Sequence, residues 1–267
     1  AQSATDSLTI DLLATPNNDG NNPILLGSFT SGVSAPDLSR LTIISNSIGT
    51  SAENMIFLDS VGGQNNPLSL TIGGTHALSV ASVDIATSYI QKVTIQNAAG
   101  VNLVGLTWGL QAFDPGGATI VGGAGDDVLV GGAGADVIRT GAGDNDIYGS
   151  GMSDAVYLKA NSGLDTLHYS NVTQSIAIGG RDAVHNFAVT DTIDIASLVD
   201  SFLFKGNVDT YTAGLALLSN AVSCAFFDKA ENAVFIDVNH DGTIDAQHDL
   251  GIHLIGVDSI QSWNILA

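Results

Sequence analysis

The aspartates of this chain carry its most informative chemistry. From Gly122 the sequence reads GGAGDDVLV, GGAGADVIR, TGAGDNDIY and GSGMSDAVY, four consecutive nine-residue units ending at Tyr157. Their sixth positions are Asp127, Asp136, Asn145 and Asp154, and their eighth are Leu129, Ile138, Ile147 and Val156. A two-residue slip at Leu158-Lys159 precedes a degenerate fifth unit with Gly163, Asp165 and Leu167. Short carboxylates repeated beside glycine turns suit a hard cation that takes about six to eight oxygens. Gly122, Gly123, Gly125, Gly131, Gly132, Gly134, Gly141 and Gly143 let the chain turn sharply with its carbonyls exposed. Around each eighth position a short strand points its apolar side chain inward. Two units then complete one coil, so Asp127 should lie beneath Asn145, and Asp136 beneath Asp154. A calcium ion between stacked loops would take one carboxylate from each coil and carbonyls from the turns.

The array resembles the GGxGxDxUx repeat of RTX proteins, which are secreted through the type 1 pathway. That resemblance implies a parallel β-roll with bound Ca²⁺, held at the glycines above and at Asp127, Asp136, Asn145, Asp154 and Asp165. Downstream, Asp182-Ala-Val-His-Asn-Phe187 and Asp191-Thr-Ile-Asp-Ile195 resemble the segment after the repeats in serralysin-type C-terminal domains. A second candidate runs from Asp237 to Asp245 and matches the first nine positions of an EF-hand-type loop. Asp237, Asn239, Asp241 and Asp245 supply its oxygens and Gly242 its turn, but position twelve is His248, and Asp249 falls one residue late. Strands on both sides, Ala233 to Ile236 and Ile252 to Gly256, point to a hairpin. The loop is either a second calcium site or a plain Asp/Gly turn.

No catalytic constellation emerges from the spacing, and the chain reads as a non-enzyme. Neither Glu53 nor Glu231 follows a histidine, so H-E-x-x-H is absent. His76, His168, His185, His240, His248 and His253 form no i, i+4 pair, and there is no G-x-S-x-G elbow. Cys224 lies in AVSCAFF without a basic neighbour, as a buried inert thiol would. Gly123-Ala124-Gly125 lacks the following helix of a dinucleotide fingerprint, and Asp126-Asp127 belongs to the repeat rather than to an acid/base pair. Asn171-Val172-Thr173 fits a glycosylation acceptor, a tripeptide common by chance.

The elements that must hold these loops are β-strands. The chain has 267 residues, 27 acids against seven cations, a formal charge of −20 and 31 glycines. Its acids are 25 Asp and two Glu, which disfavours a helical protein. A 45% hydrophobic fraction excludes a disordered acidic tail, and no apolar run is long enough for a membrane helix. Seven cations cannot line a phosphate track, so nucleic acid is excluded as a partner. A lone cysteine leaves no disulfide framework. With Ala1 first, either a leader has been removed or the chain is a fragment.

Leu41–Ile44, Met55–Leu58, Leu68–Ile72, Leu78–Val80 and Val93–Ile95 read as strands within residues 1–117, an irregular β-solenoid or, alternatively, an Ig-like sandwich. Residues 118–170 are the calcium β-roll. Residues 171–267 form a capping β-rich segment with a helix drawn from Tyr211 to Cys224, covering the open end of the spiral. The fold class is therefore all-β, a right-handed parallel β-solenoid or β-roll with calcium-binding turns. Low Lys and Cys with RTX repeats resembles bacterial surface-layer proteins exported by type 1 secretion, with the signal in roughly the last 60 residues. The resemblance implies a secreted, calcium-dependent structural protein of the cell surface. Its partners would be further copies of itself in a lattice, the type 1 apparatus and cell-surface polysaccharide. The alternative is the RTX tail of a secreted hydrolase or adhesin.

Overall fold

Apolar residues two apart, each flanked by a turn, dictate short strands with one inward face, and the computed structural model is built from little else. It describes residues 7–12, 25–26, 33–35, 38–46, 53–62, 67–82, 89–103, 116–160 and 162–267. Successive strands alternate between two sheets. Sheet I orders Ser7–Leu12, Arg40–Ser45, Leu68–Gly74, Ile90–Ile95, Thr119–Val121, Val137–Arg139, Ala155–Tyr157, Asp182–His185 and Leu250–Ile255. Sheet II orders Leu25–Leu26, Asn54–Val61, Leu78–Ser82, Val101–Asn102, Val128–Gly132, Asp146–Ser150, Thr166–His168, Thr192–Asp194 and Ile265–Leu266. Val33–Ala35 pairs with Asn54–Val61 off the main path.

Every neighbour named on these two paths pairs in parallel, as a coiled solenoid requires and an antiparallel sandwich does not. The five upstream strands expected from the sequence are all present. Both sheets run unbroken through positions 118 and 171, and one hydrophobic core extends from Leu12 to Ile265. In the nonapeptide segment Leu129 pairs with Ile147 and Ile138 with Val156, all four fully buried.

The C-terminal segment corrects one expectation. The helix is only Tyr211–Leu215, capped by Thr210, and Cys224 lies instead in the strand Ser223–Asp228. The run AVSCAFF packs both faces of its strand: Ala225 and Phe227 enter the main core, whereas Phe226 joins Phe235 and Ala233 in a second cluster. A strand buried on both sides outweighs the helix propensity of its neighbours. Gly214 lies against the Phe226 ring, so the short helix covers this outer cluster rather than the end of the spiral. The end is closed by strands. Ala233–Asp237, Ser223–Asp228 and Phe202–Val208 extend sheet I past Leu250–Ile255 without counterparts in sheet II. Their residues Ala225, Phe227, Val234 and Ile236 are nonetheless fully buried in the main core. Among the described residues no helix is long and apolar enough to cross a membrane.

Candidate metal centre

Each sixth-position side chain leaves its turn pointing inward and back along the coil axis. It accepts a hydrogen bond from the backbone N–H at the equivalent place in the preceding coil. On one edge, Asn145 Oδ1 accepts from Asp127 N at 3.0 Å and Asp127 Oδ1 from Val101 N at 2.8 Å. On the other, Asp154 Oδ1 accepts from Asp136 N at 2.8 Å and Asp136 Oδ1 from Ala118 N at 2.6 Å. The steps within the repeats are 18 residues, so Asp127 does stack with Asn145 and Asp136 with Asp154. The two-residue slip lengthens the next step to 20, and Asp165 keeps its place by accepting from Asn145 N and Nδ2.

Two further carboxylates extend these ladders. Asp182 Oδ1 accepts from Asp154 N across a 28-residue step, and Asp191 Oδ1 from Asp165 N across 26. Neither was singled out as a ligand from the nonapeptide period, because both lie in longer coils. The signal that finds them is Asp two residues before an inward apolar residue: Asp182 before Val184 and Asp191 before Ile193, as Asp127 stands before Leu129.

The glycines act in two ways. Gly132, Gly141 and Gly143 take φ of +136°, +83° and +96°, but Gly122, Gly123, Gly125, Gly131 and Gly134 stay outside the left-handed region. Gly122, Gly123, Gly125 and Gly131 are needed instead because the neighbouring coil leaves no room for a Cβ. At Gly122 it would collide with the Thr140 carbonyl, and at Gly131 with the Gly149 carbonyl and the Asp136 carboxylate.

The electrostatics of the ladders are unbalanced. Asp127, Asp136, Asp154, Asp165 and Asp182 are each no more than 2% exposed. Burial pushes Asp127 and Asp165 up to about 6, Asp182 to about 7 and Asp154 to about 9, and it raises Asp191 as well. Neighbouring carboxylates add to the rise: Asp182 and Asp136 act on Asp154, and Asp191 acts on Asp165. Asp154 Oδ2 is buried with no hydrogen-bond partner. A buried, unpartnered oxygen among like charges is where a hard cation contributes most. Among the described residues no three acidic, His or Cys side chains are placed to hold a metal ion by themselves. With one carboxylate per coil on each edge, a cation here would draw many of its oxygens from backbone carbonyls.

Residues 121–156 match the family model for the RTX calcium-binding nonapeptide repeat, in four copies. The chain carries RTX repeats. These repeats bind calcium, and they are structural rather than catalytic. No curated protein matches the chain. The two-sheet parallel coil is the architecture such repeats form.

The 237–249 loop joins antiparallel neighbours, with Ile236 opposite Leu250, so it is a hairpin connection as expected. Its oxygens turn on the loop's own backbone. Asp237 accepts from Asp241 N and Gly242 N, Asp241 from Thr243 N, and Asp245 from Gln247 N and His248 N. Asn239 donates to Asp241 at 3.0 Å. Asp249, fully buried and raised to about 6 by burial, accepts from Val238 N and Asp245 N and ties the two ends together. These contacts turn the candidate ligands onto the loop's own backbone, and among the described residues no three acidic side chains of the loop are placed to hold a metal ion.

Proposed function

We propose that this protein is a calcium-dependent structural component of a bacterial surface layer, assembling into a lattice after type 1 secretion. RTX repeat proteins are typically secreted. One observation carries the structural reading: on both sides the RTX coils continue into strands of the same two sheets and share one main core with them. In this reading Asp127, Asn145, Asp165 and Asp191 on one edge hold calcium, as do Asp136, Asp154 and Asp182 on the other, with turn carbonyls completing each shell. The ion supplies positive charge where the ladders have none. The rigid, evenly spaced coils that result suit a building block better than a hydrolase. Negative-stain microscopy of the purified protein in millimolar calcium should reveal ordered sheets that disperse in chelator. Dispersed single particles in both conditions would refute the lattice role and favour the RTX portion of a secreted hydrolase or adhesin.

A further inference from the structure

The two outer faces of the roll have opposite charge. The register of sheet I aligns two outward rows. One runs Arg40, Ser69, Lys92, Thr119, Val137, Ala155, Ala183 and His253. The other runs Thr42, Thr71, Thr94, Val121, Arg139, Tyr157, His185 and Ile255. Neither row holds a carboxylate and no side chain in either is buried; exposed Asp11 lies outside both rows, beside Ile44 at the edge of the sheet. Arg139 is braced over the Tyr157 ring at 4.2 Å, and that ring stacks on His185 at 4.3 Å. Every cation in the first 158 residues of a chain with net charge −20 lies on this face. The described strands of sheet II contain no Lys or Arg; their charged residues are Asp59, Asp146, Asp194 and His168. Asp146 and Asp194 flank His168 at 2.7 and 2.9 Å, with side chains 51% and 29% exposed. Even a protonated imidazole leaves that trio negative.

Part of the two charge sets shares a spacing. Arg40, Lys92 and Arg139 occupy the second, fourth and sixth strands of sheet I, and Asp59, Asp146 and Asp194 the second, sixth and eighth of sheet II. Adjacent strands lie about 4.8 Å apart, so Lys92 and Arg139 are about 10 Å apart along the axis, as are Asp146 and Asp194. Two rolls with parallel axes, offset by two strands, can therefore bring Lys92 and Arg139 opposite Asp146 and Asp194. The geometry points to a second copy of this chain as the occupant: the basic face of sheet I docks on the acidic face of sheet II of the next molecule. Such a contact is heterologous and leaves a free face at each end, so it propagates into open rows. This rests on the lattice reading and names the surface that would build it. Exposed pairs are individually weak, so the contact forms at high concentration or within an array rather than as a stable dimer.

Sedimentation velocity of the calcium-loaded protein from micromolar to millimolar concentration tests the inference. The wild type should associate, and 500 mM salt should reverse it, an expectation on the order of a Debye length shortened about threefold from low salt. Arg40→Glu/Lys92→Glu/Arg139→Glu should need at least about tenfold higher concentration. Asp146→Lys/Asp194→Lys should be impaired alike, and mixing the two variants should restore association, which a folding defect could not do. A wild type that stays monomeric, or a triple variant that associates like it, overturns the inference. Retention of the monomeric wild type by hyaluronan, lost in the triple variant, would overturn it in favour of a polyanion on this face. Microscopy separates the two readings: sheets unaffected by either variant would leave the lattice standing without this contact. Salt-sensitive rows that never form sheets would do the reverse.

Discussion

Buried aspartates without a counter-cation govern how this protein responds to pH. An aspartate has an ordinary value of 3.8, whereas burial raises Asp127 and Asp165 to about 6, Asp182 to about 7 and Asp154 to about 9. Folded values above the unfolded ones mean that the protonated carboxyls favour the fold. That stabilisation is complete below about pH 4 and is lost as pH rises through roughly 6 to 9. In chelator the melting temperature should therefore be highest near pH 4 and fall toward pH 8; a rise over that range would contradict it. Calcium favours the ionised form and should reverse the slope, releasing protons as it binds. Asp154→Asn should raise the melting temperature in chelator at neutral pH and shrink the gain from calcium, since folding no longer has to protonate this carboxyl and a ligand is lost. Asp126 is exposed and accepts from Asp144 N, so Asp126→Asn should leave both values nearly unchanged. Equal effects of the two substitutions in calorimetric titration would show that the sixth position is not special.

At the level of turns and strands, close stacking of coils should be more costly to disturb than backbone conformation alone. Gly141 at φ +83° and Gly256 at φ +79° share a conformation, but only Gly141 is crowded, lying on the backbone of Gly122 and Gly123. Around Gly256 the space for a Cβ is empty. Gly256→Ala should cost about 1 kcal/mol from the left-handed backbone alone. Gly141→Ala should cost about 3 kcal/mol or more, because the coil beneath must also move. Urea midpoints in saturating calcium compare the two, and similar losses would mean that the coils stack loosely. Phe227, fully buried where sheet I closes the core, should cost about 3–5 kcal/mol as Phe227→Ala.

For the whole molecule, 27 acids and seven cations make the ion-free compact state self-repelling. Calcium binds the folded chain and shifts the balance by mass action. Far-UV circular dichroism should gain its β signal on moving from chelator to millimolar calcium; identical spectra would refute calcium-dependent folding. Removing residues 208–267 takes away Ser223–Asp228, Ala233–Asp237, Leu250–Ile255 and Ile265–Leu266 together. The core end would be uncovered, and if the export signal lies in that stretch, secretion from the native host should stop. Normal secretion of this truncation would place the signal elsewhere.

Where coil length is constant, the amino-acid sequence by itself determined the arrangement. The nine-residue period specified which apolar residues face inward, which loops stack and hence that Asp127 meets Asn145 and Asp136 meets Asp154. Upstream strands were legible one at a time, since Leu41 and Ile43, Leu68, Leu70 and Ile72, and Val93 and Ile95 each alternate with outward residues. Their parallel pairing was not, because coils of unequal length carry no fixed offset. Only the tertiary structure added Asp182 and Asp191 to the ladders, since steps of 28 and 26 residues are set by which apolar side chains meet in the core. It likewise shortened the helix, because Phe226 and Phe227 are buried on opposite faces of one strand. The opposite charge of the two outer faces was also beyond the sequence. Arg40, Lys92 and Arg139 are about 50 residues apart in the chain and become neighbours on a grid of about 10 Å only through strand register.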